Sequence, residues 1–549
     1  MSLQPTPLGP VPEETARVAR AAFPKGNPLL ILRDDLGIFY TDARFAPLFP
    51  PQGHPAEAPW RLALVLVLQF VENLTDRQAA DAVRSRIDWK YLLGLALTDP
   101  GFDYSILSEF RTRLLEGDAE YLLLEALLEH CQERRLLKAR GRQRTDATHV
   151  LAAIRVLNRL ECVGEALRHA LNTLAVVAPD WLRTQVPAEW VDRYAHRLES
   201  YRLPSSPAER QAVALTIGAD GYHLLAALWD PATPVDLREN AAVEALRQIW
   251  VQQFSRENDQ ISWREETNLP PAAQRINSPY DVEARYGTKR STTWVGYKVH
   301  LTETCDEDLP HLITEVETTI ATGTDYGVLP TIQETLLQHD RAPAEHLVDA
   351  GYVDAEHLVS STQRGIDLVG PAAENNHWQD RAGAGFALEH FVLDWEARQA
   401  TCPRGQRSVK WKASHDQRRH PVIYVEFARA ACLACPCRAQ CTRAAVHPRS
   451  LTLRPQAQHE ALQAARARQK TPDFKHRYAV RAGIEGTLSQ AVRVFDLRRA
   501  RYIGLAKTHL QHLLIAGALN VARVVDWLRG YPRARTRPTP FVALMLEAA

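Results

Sequence analysis

A mixed α/β protein with an all-α N-terminal region, a helical insertion and a cysteine-rich insertion is what this sequence predicts. Three observations predict it. Helical periodicity fills residues 30–130, and strand signals at 293–303 and 311–320 give way to strands alternating with a helix. Five of the eight cysteines fall between positions 402 and 441. A chain of 549 residues also exceeds the ~250–300 at which single cores stop growing, so several domains are expected.

The elements follow in order. Residues 1–58 are loop-rich; Pro59 and Trp60 then open RLALVLVLQFVENL, apolar almost all round and so a buried helix. Thr75 and Asp76 have N-cap chemistry for DRQAADAVRSRIDWKYLLGL, which Gly94 closes. After the turn Asp99-Pro100-Gly101, Ser105 starts a third helix ending at Gly117, and AEYLLLEALLEHCQERRLL makes a fourth. Short helices with a tight turn before the third fit a helix-turn-helix, and equally a plain bundle used for dimerisation. On the first reading the helix 105–115 contacts DNA bases through Ser105, Ser108, Arg111 and Arg113.

Residues 134–144 hold Arg134, Arg135, Lys138, Arg140, Arg142 and Arg144 without an acid, and TDATHVLAAI then reads as a short strand carrying Asp146. The first part of the sheet-bearing core spans 135–375, interrupted over about 155–275 by helices broken at Pro179, Pro204, Pro207 and Pro231. EHLVDAGY supplies a strand with Asp349 at its C-terminal end, and GIDLVGPA another. Residues 376–454 form the cysteine-rich insertion, 455–530 are helical and carry Glu485, and 531–549 read as a tail.

Composition is that of an ordinary soluble chain, 45% hydrophobic and 24% charged. No run of eighteen apolar residues exists, and MSLQPTPLGPVPEE lacks a signal pattern, so a cytoplasmic location without membrane contact is expected. Sixty-six basic against sixty-five acidic residues leave +1, so only local charge can mark a nucleic-acid binder. Such an excess lies between 455 and 507, where eleven Lys or Arg oppose four acids, with Tyr478, Phe495 and Tyr502 interleaved. That is the footprint of a phosphate-backbone binder.

Three acids stand out by context. Asp146 follows the basic stretch, and Asp349 ends an apolar strand, where α/β active sites gather. Glu485 follows Tyr478 and Arg481 and precedes Ser489 at offsets that would place all four on one face of a single helix. Together the acids suggest a carboxylate cage for hard divalent cations, Mg2+ or Mn2+. Two such ions about 3.5–4 Å apart serve phosphodiester chemistry. No ATP-binding G-x-x-x-x-G-K-[ST] loop is present.

LTDRQAADAVRSRIDWKYLLGL and FDYSILSEFRTRL resemble the N-terminal domain of InsH-type bacterial insertion-sequence transposases. TDATHV, WVGYKVHLTET, HLVDAGY and YAVRAGIEGTLSQAVRVFDLRRARYIGLAKTHLQHLLIAGALNVARV resemble the catalytic domain of DDE transposases. Within that family, the variant with a cysteine-rich segment before the final Glu helix is insertion-sequence group eleven-eighty-two. The resemblance covers roughly residues 30–530. It implies an RNase H-like fold with Asp146, Asp349 and Glu485 as the triad holding two Mg2+ or Mn2+ ions. It further implies double-stranded DNA as partner, both the element's terminal inverted repeats and target DNA, a homodimer, and a bacterial nucleoid-associated location. In the family's terminal signature Tyr478, Arg481 and Glu485 match, while the Lys position is Val492, with Arg493 beside it. Ser489, Arg498, Arg499 and Lys507 are further candidate DNA contacts in this block. The same residues would also serve a non-catalytic DNA-binding protein, or a nuclease that cuts without joining.

Cys402 opens Cys-Pro-Arg-Gly, and Cys432, Cys435, Cys437 and Cys441 follow. A C-x2-C pair flanked by further cysteines has tetrahedral thiolate spacing, and Cys402, Cys432, Cys435 and Cys441 are the favoured zinc ligands, with Cys437 spare. An iron–sulfur cluster is the second possibility. Cys131, Cys162 and Cys305 read as core residues.

Overall fold

The computed structural model describes residues 2–5, 8–375, 377–417, 419–533, 541, 544 and 545, so most of the expected tail 531–549 lies outside the described residues. The chain forms two compact units. Unit one comprises Met1–Lys138, Asp146–Thr324 and Ile484–Ala549; unit two comprises Ala139–Thr145 and Asp325–Gly483. Strand β1 (Arg142–Leu151) starts in unit two and ends in unit one.

In unit one the helix Pro59–Val71 is buried along nearly its whole length, as its all-round apolarity requires. It packs on the helix Leu505–Leu528, which also lies against Leu122–Glu133. The N-terminal helices therefore share their core with the last long helix. Leu64, Leu68 and Leu127 share one apolar cluster with Val299, Leu514 and Leu519. The capping box expected at Thr75 is present with Gln78.

The stretch about 155–275 has a separate core, in which Trp190 and Trp250 lie among the helices Arg159–Val177, Pro207–Leu228 and Ala241–Gln253. It is not wholly helical: β2 (Phe254–Glu257) and β3 (Gln260–Trp263) form an antiparallel hairpin. The sheet of unit one adds β4 (Arg285–Lys289), β5 (Thr292–Thr304) and β6 (Ile313–Ile320). The long β5 pairs antiparallel with β4 and then with β6, and β1 lies beside it.

In unit two the first residues of β1 pair in parallel with β7 (Glu345–Leu347), which pairs in parallel with β8 (Asp367–Val369). Arg144 stands opposite Leu347 in this register. The helices Asp325–Gln338, Ala355–Gln363 and Gln456–Gln469 contribute to its core, with Val328, Leu358 and Ala465 among the buried residues. The cysteine-rich stretch 376–454 is mainly β-structure among its described residues. Strands β9 (Val392–Asp394) and β10 (Gln399–Thr401) make a hairpin, and β11 (Ser408–His415), β12 (Pro421–Phe427) and β13 (Ser450–Leu453) an antiparallel sheet. Its core is small: Phe391, Ala400, Val425, Phe427, Leu451 and Leu453.

Candidate active site

Asp146 is a buried residue of β1, and its Oδ1 accepts from the Ala147 amide at 2.8 Å. Two residues on, Thr148 Oγ1 accepts from Arg498 Nε at 2.8 Å, while the Leu151 amide donates to the Arg498 carbonyl at 2.8 Å. Arg498 and the exposed Arg499 are thereby laid along the end of β1. Burial, and then the charges of Arg498 and Lys289, hold the His149 imidazole below its usual range. The surroundings of this stretch are electropositive, as a polyanionic ligand needs.

Glu485 is exposed in the first turn of the helix Gly483–Phe495, where the helix dipole favours a carboxylate. A buried network fastens this turn within unit one. Thr487 Oγ1 donates to Glu303 Oε2 at 2.7 Å, Arg523 Nη1 donates to the same oxygen at 2.8 Å, and Arg523 Nη2 donates to Thr487 Oγ1 at 2.6 Å. Sequence reading missed Glu303 and Arg523. A signal existed, since an Arg on an otherwise apolar helix needs a partner when it is buried.

The single-helix stripe expected for Tyr478, Arg481, Glu485 and Ser489 is interrupted. Tyr478 belongs to the helix Pro472–Ala479, Arg481 to the 3-10 turn Val480–Ala482, and only Glu485 and Ser489 share the next helix, one turn apart. The 3-10 turn breaks the 3.6-residue period. The Tyr478 ring stacks on Phe474, with centroids 5.5 Å apart and planes at 10°. Val492 packs against the core, whereas Arg493, and Lys507 in the first turn of the last long helix, are exposed.

Asp349 lies two residues beyond β7 and is partly exposed, its Oδ1 accepting from the Gly351 amide at 2.7 Å. A Cβ at Gly351 would stand 3.0 Å from Asp349 Oδ1 and 3.1 Å from Asp325 Oδ2, so this glycine makes room for two neighbouring carboxylates. Asp325, which opens its helix, was visible in the sequence but not singled out.

Around Arg144 the chain is equally close-fitted. Its Nη1 donates to the Val480 carbonyl at 2.5 Å, and a Cβ at Gly483 would fall 2.1 Å from that nitrogen. Arg142 and Arg477 both bind Glu345, at 3.1 Å each, and Arg477 and Arg468 both bind Asp367, at 2.9 and 2.6 Å. The turn before Gly483 is thus tied to the start of β1, β7 and β8.

In the N-terminal helices, Arg111 is buried rather than offered to a ligand: Asp76 accepts both its terminal nitrogens, at 2.9 and 2.5 Å. Arg113 donates to the Leu48 carbonyl at 2.8 Å and covers the Phe49 ring. The side of Ser105–Glu116 that faces solvent carries Ser105, Ser108, Glu109 and Thr112 instead.

Cys131, Cys162 and Cys305 are buried core residues, burial pushing the first two thiols up to about 12. The other five cysteines line one cavity of unit two. Among the described residues, no three His, Cys, Asp or Glu side chains stand close enough to hold a metal ion. No described helix is long and apolar enough to cross a membrane.

No curated protein matches the sequence. A family model described as "Transposase DDE domain" matches residues 401–525, which include Glu485 and the cysteine cluster. A second, described as "Transposase domain (DUF772)", matches residues 17–113, the N-terminal helices. Two transposase family models matched in this order support a DDE-type insertion-sequence transposase.

Proposed function

We propose that this transposase cuts the ends of its own element and joins them to target DNA, with Asp146, Asp349 and Glu485 acting together on the scissile phosphodiester. One observation carries the reading. Arg144, Leu347 and Gly483 each precede one of the three acids by two residues, and these three meet. Leu347 is the register partner of Arg144, and Gly483 abuts its guanidinium. Two residues of chain reach at most about 7 Å, so acids carried two steps beyond a shared meeting point suit joint action.

The donor set is three carboxylates, hard oxygen ligands of the kind Mg2+ or Mn2+ takes alongside substrate phosphate and water. Two such ions, when bound, would activate the attacking oxygen and stabilise the leaving one. The chain's own residues bind and orient. Exposed Arg493, Arg499 and Lys507 supply cations for the DNA backbone, and Arg498 is held by Thr148 near Asp146. An RNase H-like core, terminal inverted repeats as the DNA bound, a homodimer and nucleoid association belong to the same proposal.

The test is cleavage and joining of DNA carrying the element's ends, with magnesium present. Asp146→Asn, Asp349→Asn and Glu485→Gln should each abolish both reactions while leaving DNA binding within a few-fold. Cutting without joining by the native chain would indicate a nuclease. Binding without either reaction would indicate a DNA-binding protein that has kept only the fold.

A further inference from the structure

We infer that the β4–β5 hairpin of unit one is an arm that lies against the backbone of duplex DNA, with Lys289 and Arg290 at its tip as the phosphate ligands. The inference rests on the proposed function in taking duplex DNA as the partner. The register pairs Arg285–Lys289 with Thr292–Gly296 and leaves Arg290 and Ser291 as a two-residue loop. Nearer the root, Gly287 stands opposite Trp294, and a Cβ there would fall 2.6 Å from the indole, so the ring lies over bare backbone. Trp294 Nε1 donates to the Tyr297 carbonyl at 3.0 Å, and the indole lies beside the His149 ring of β1, with centroids 5.3 Å apart. The arm is thus braced against β1, while Tyr286 and every residue from Thr288 to Thr293 are exposed.

The charge of the arm is uncompensated. No acid occurs between Arg285 and Thr302. The two acids just before it are engaged elsewhere, Asp281 by the Tyr297 hydroxyl at 2.7 Å and Glu283 by the Leu505 amide at 2.8 Å. Among the described residues, Lys289 and Arg290 have no ion pair and no side-chain hydrogen bond, and the hydroxyls of Thr288, Ser291, Thr292 and Thr293 are equally uncommitted. Two cations and four hydroxyls are donors of the kind that phosphate oxygens take. Arg290 also sits at φ +56°, in the left-handed region where hairpin loops favour Gly, Asn or Asp. Nothing in the fold requires a cation at that strained position, which directs its use outward to a ligand.

The arm extends the cationic surface at the end of β1. Tyr286 pairs with Val295, whose carbonyl accepts from the Ala152 amide at 3.0 Å, and Leu151 bridges to Arg499. At about 4.8 Å per strand step, Tyr286 and Arg499 stand roughly 15 Å apart, so one duplex can meet both. Lys289 also lies close enough to His149 for its charge to act on the imidazole together with that of Arg498. Cations on both sides of the end of β1, without an acid on the arm, suit a polyanion that crosses this edge of the sheet.

The experiment is equilibrium binding of the full chain to mixed-sequence duplex DNA over a salt series. Lys289→Gln combined with Arg290→Gly should weaken binding to every sequence alike and lower the slope of log K against log salt by about 1.8, at about 0.9 per phosphate contact. Melting should hold or rise, because glycine suits the backbone of position 290, so weaker binding cannot be put down to lost folding. An unchanged slope in the double variant, with native binding intact, overturns the arm and leaves the proposed function standing. A native chain that binds no duplex overturns both. On the native protein, an amine-modifying reagent read by peptide mass should label Lys289 freely, and several-fold less with duplex bound. Equal labelling at saturating duplex overturns the contact.

Discussion

Replacing Arg523 by Met should cost unit one about 3–5 kcal/mol. The guanidinium donates to Glu303 Oε2 at 2.8 Å, the His311 carbonyl at 2.8 Å, Thr487 Oγ1 at 2.6 Å and Gln490 Oε1 at 3.1 Å. Four hydrogen bonds from a charged group, at about 1.5–3 kcal/mol each, would sum to roughly 6–12 kcal/mol. The desolvation of Arg523 itself offsets much of that, so the smaller figure for breaking one side of a buried pair governs. Methionine retains a flexible apolar stem, which assigns the loss to the head group rather than to packing. At the low end of about 2–4 °C per kcal/mol, suited to a unit of this size, melting should fall by roughly 6–10 °C. Thermal unfolding of the full chain measures it, alongside Glu303→Leu and the double variant. Because Glu303 is fully buried, each single change strands a polar group, and removing both should recover more than half of the summed loss. DNA cleavage, assayed where the Arg523→Met variant is still folded, should also fall, since Thr487 is two residues from Glu485. A melting shift below about 2 °C, or strictly additive losses, would refute the reasoning.

Gly351→Val should cut DNA cleavage by roughly 100-fold with little change in melting, because its side chain displaces the Asp349 and Asp325 carboxylates; near-native turnover would dismiss their crowding as incidental. His346 and His512 are buried and His509 is half-buried, and desolvation holds all three neutral, their values pushed down to about 4, 3 and 4 in that order. The unfolded chain binds these protons near 6.5, so their stability is fully present above that pH and is lost as pH falls from about 6.5 towards 4. Denaturant midpoints across that window should drop, and less steeply in His512→Gln. Arg493→Gln, Arg499→Gln and Lys507→Gln should weaken binding to all DNA sequences alike, each lowering the slope of log K against log salt by about 0.9 if it contacts one phosphate. A change confined to one DNA sequence would argue instead for base reading.

Much of the architecture was legible because it rests on periodicity. The Pro59–Val71 helix, β5 and β6 came out nearly at their observed bounds, each being long and regular in pattern. What escaped was short or held by distant partners. The β2–β3 hairpin and the strands β9, β10 and β13 span three or four residues each, too few for a pattern to rise above chance. Arg111 read as a DNA contact because sequence cannot show that Asp76 lies within its reach. The stripe through Tyr478 and Glu485 failed for a related reason: the 3-10 turn follows from the fit of Arg144 beneath Val480 and Gly483, residues far apart in the chain. Of the candidate acids, sequence marked out Asp146, Asp349 and Glu485, but not Asp325, whose place beside Asp349 emerges only in three dimensions.

The helix Leu505–Leu528 has a consequence for how the protein is made. Its Leu510, Leu514 and Leu519 complete the cluster that covers Leu64 and Leu68 of the Pro59–Val71 helix. More than four hundred residues of translation separate the two helices, roughly 20–90 s at ribosomal speed. During that interval the earlier helix has no permanent cover, and a polypeptide stopped before position 505 never gains one. Incomplete translation products should therefore be captured by chaperones or degraded, rather than persist as DNA-binding fragments that compete with the finished protein for the element's ends.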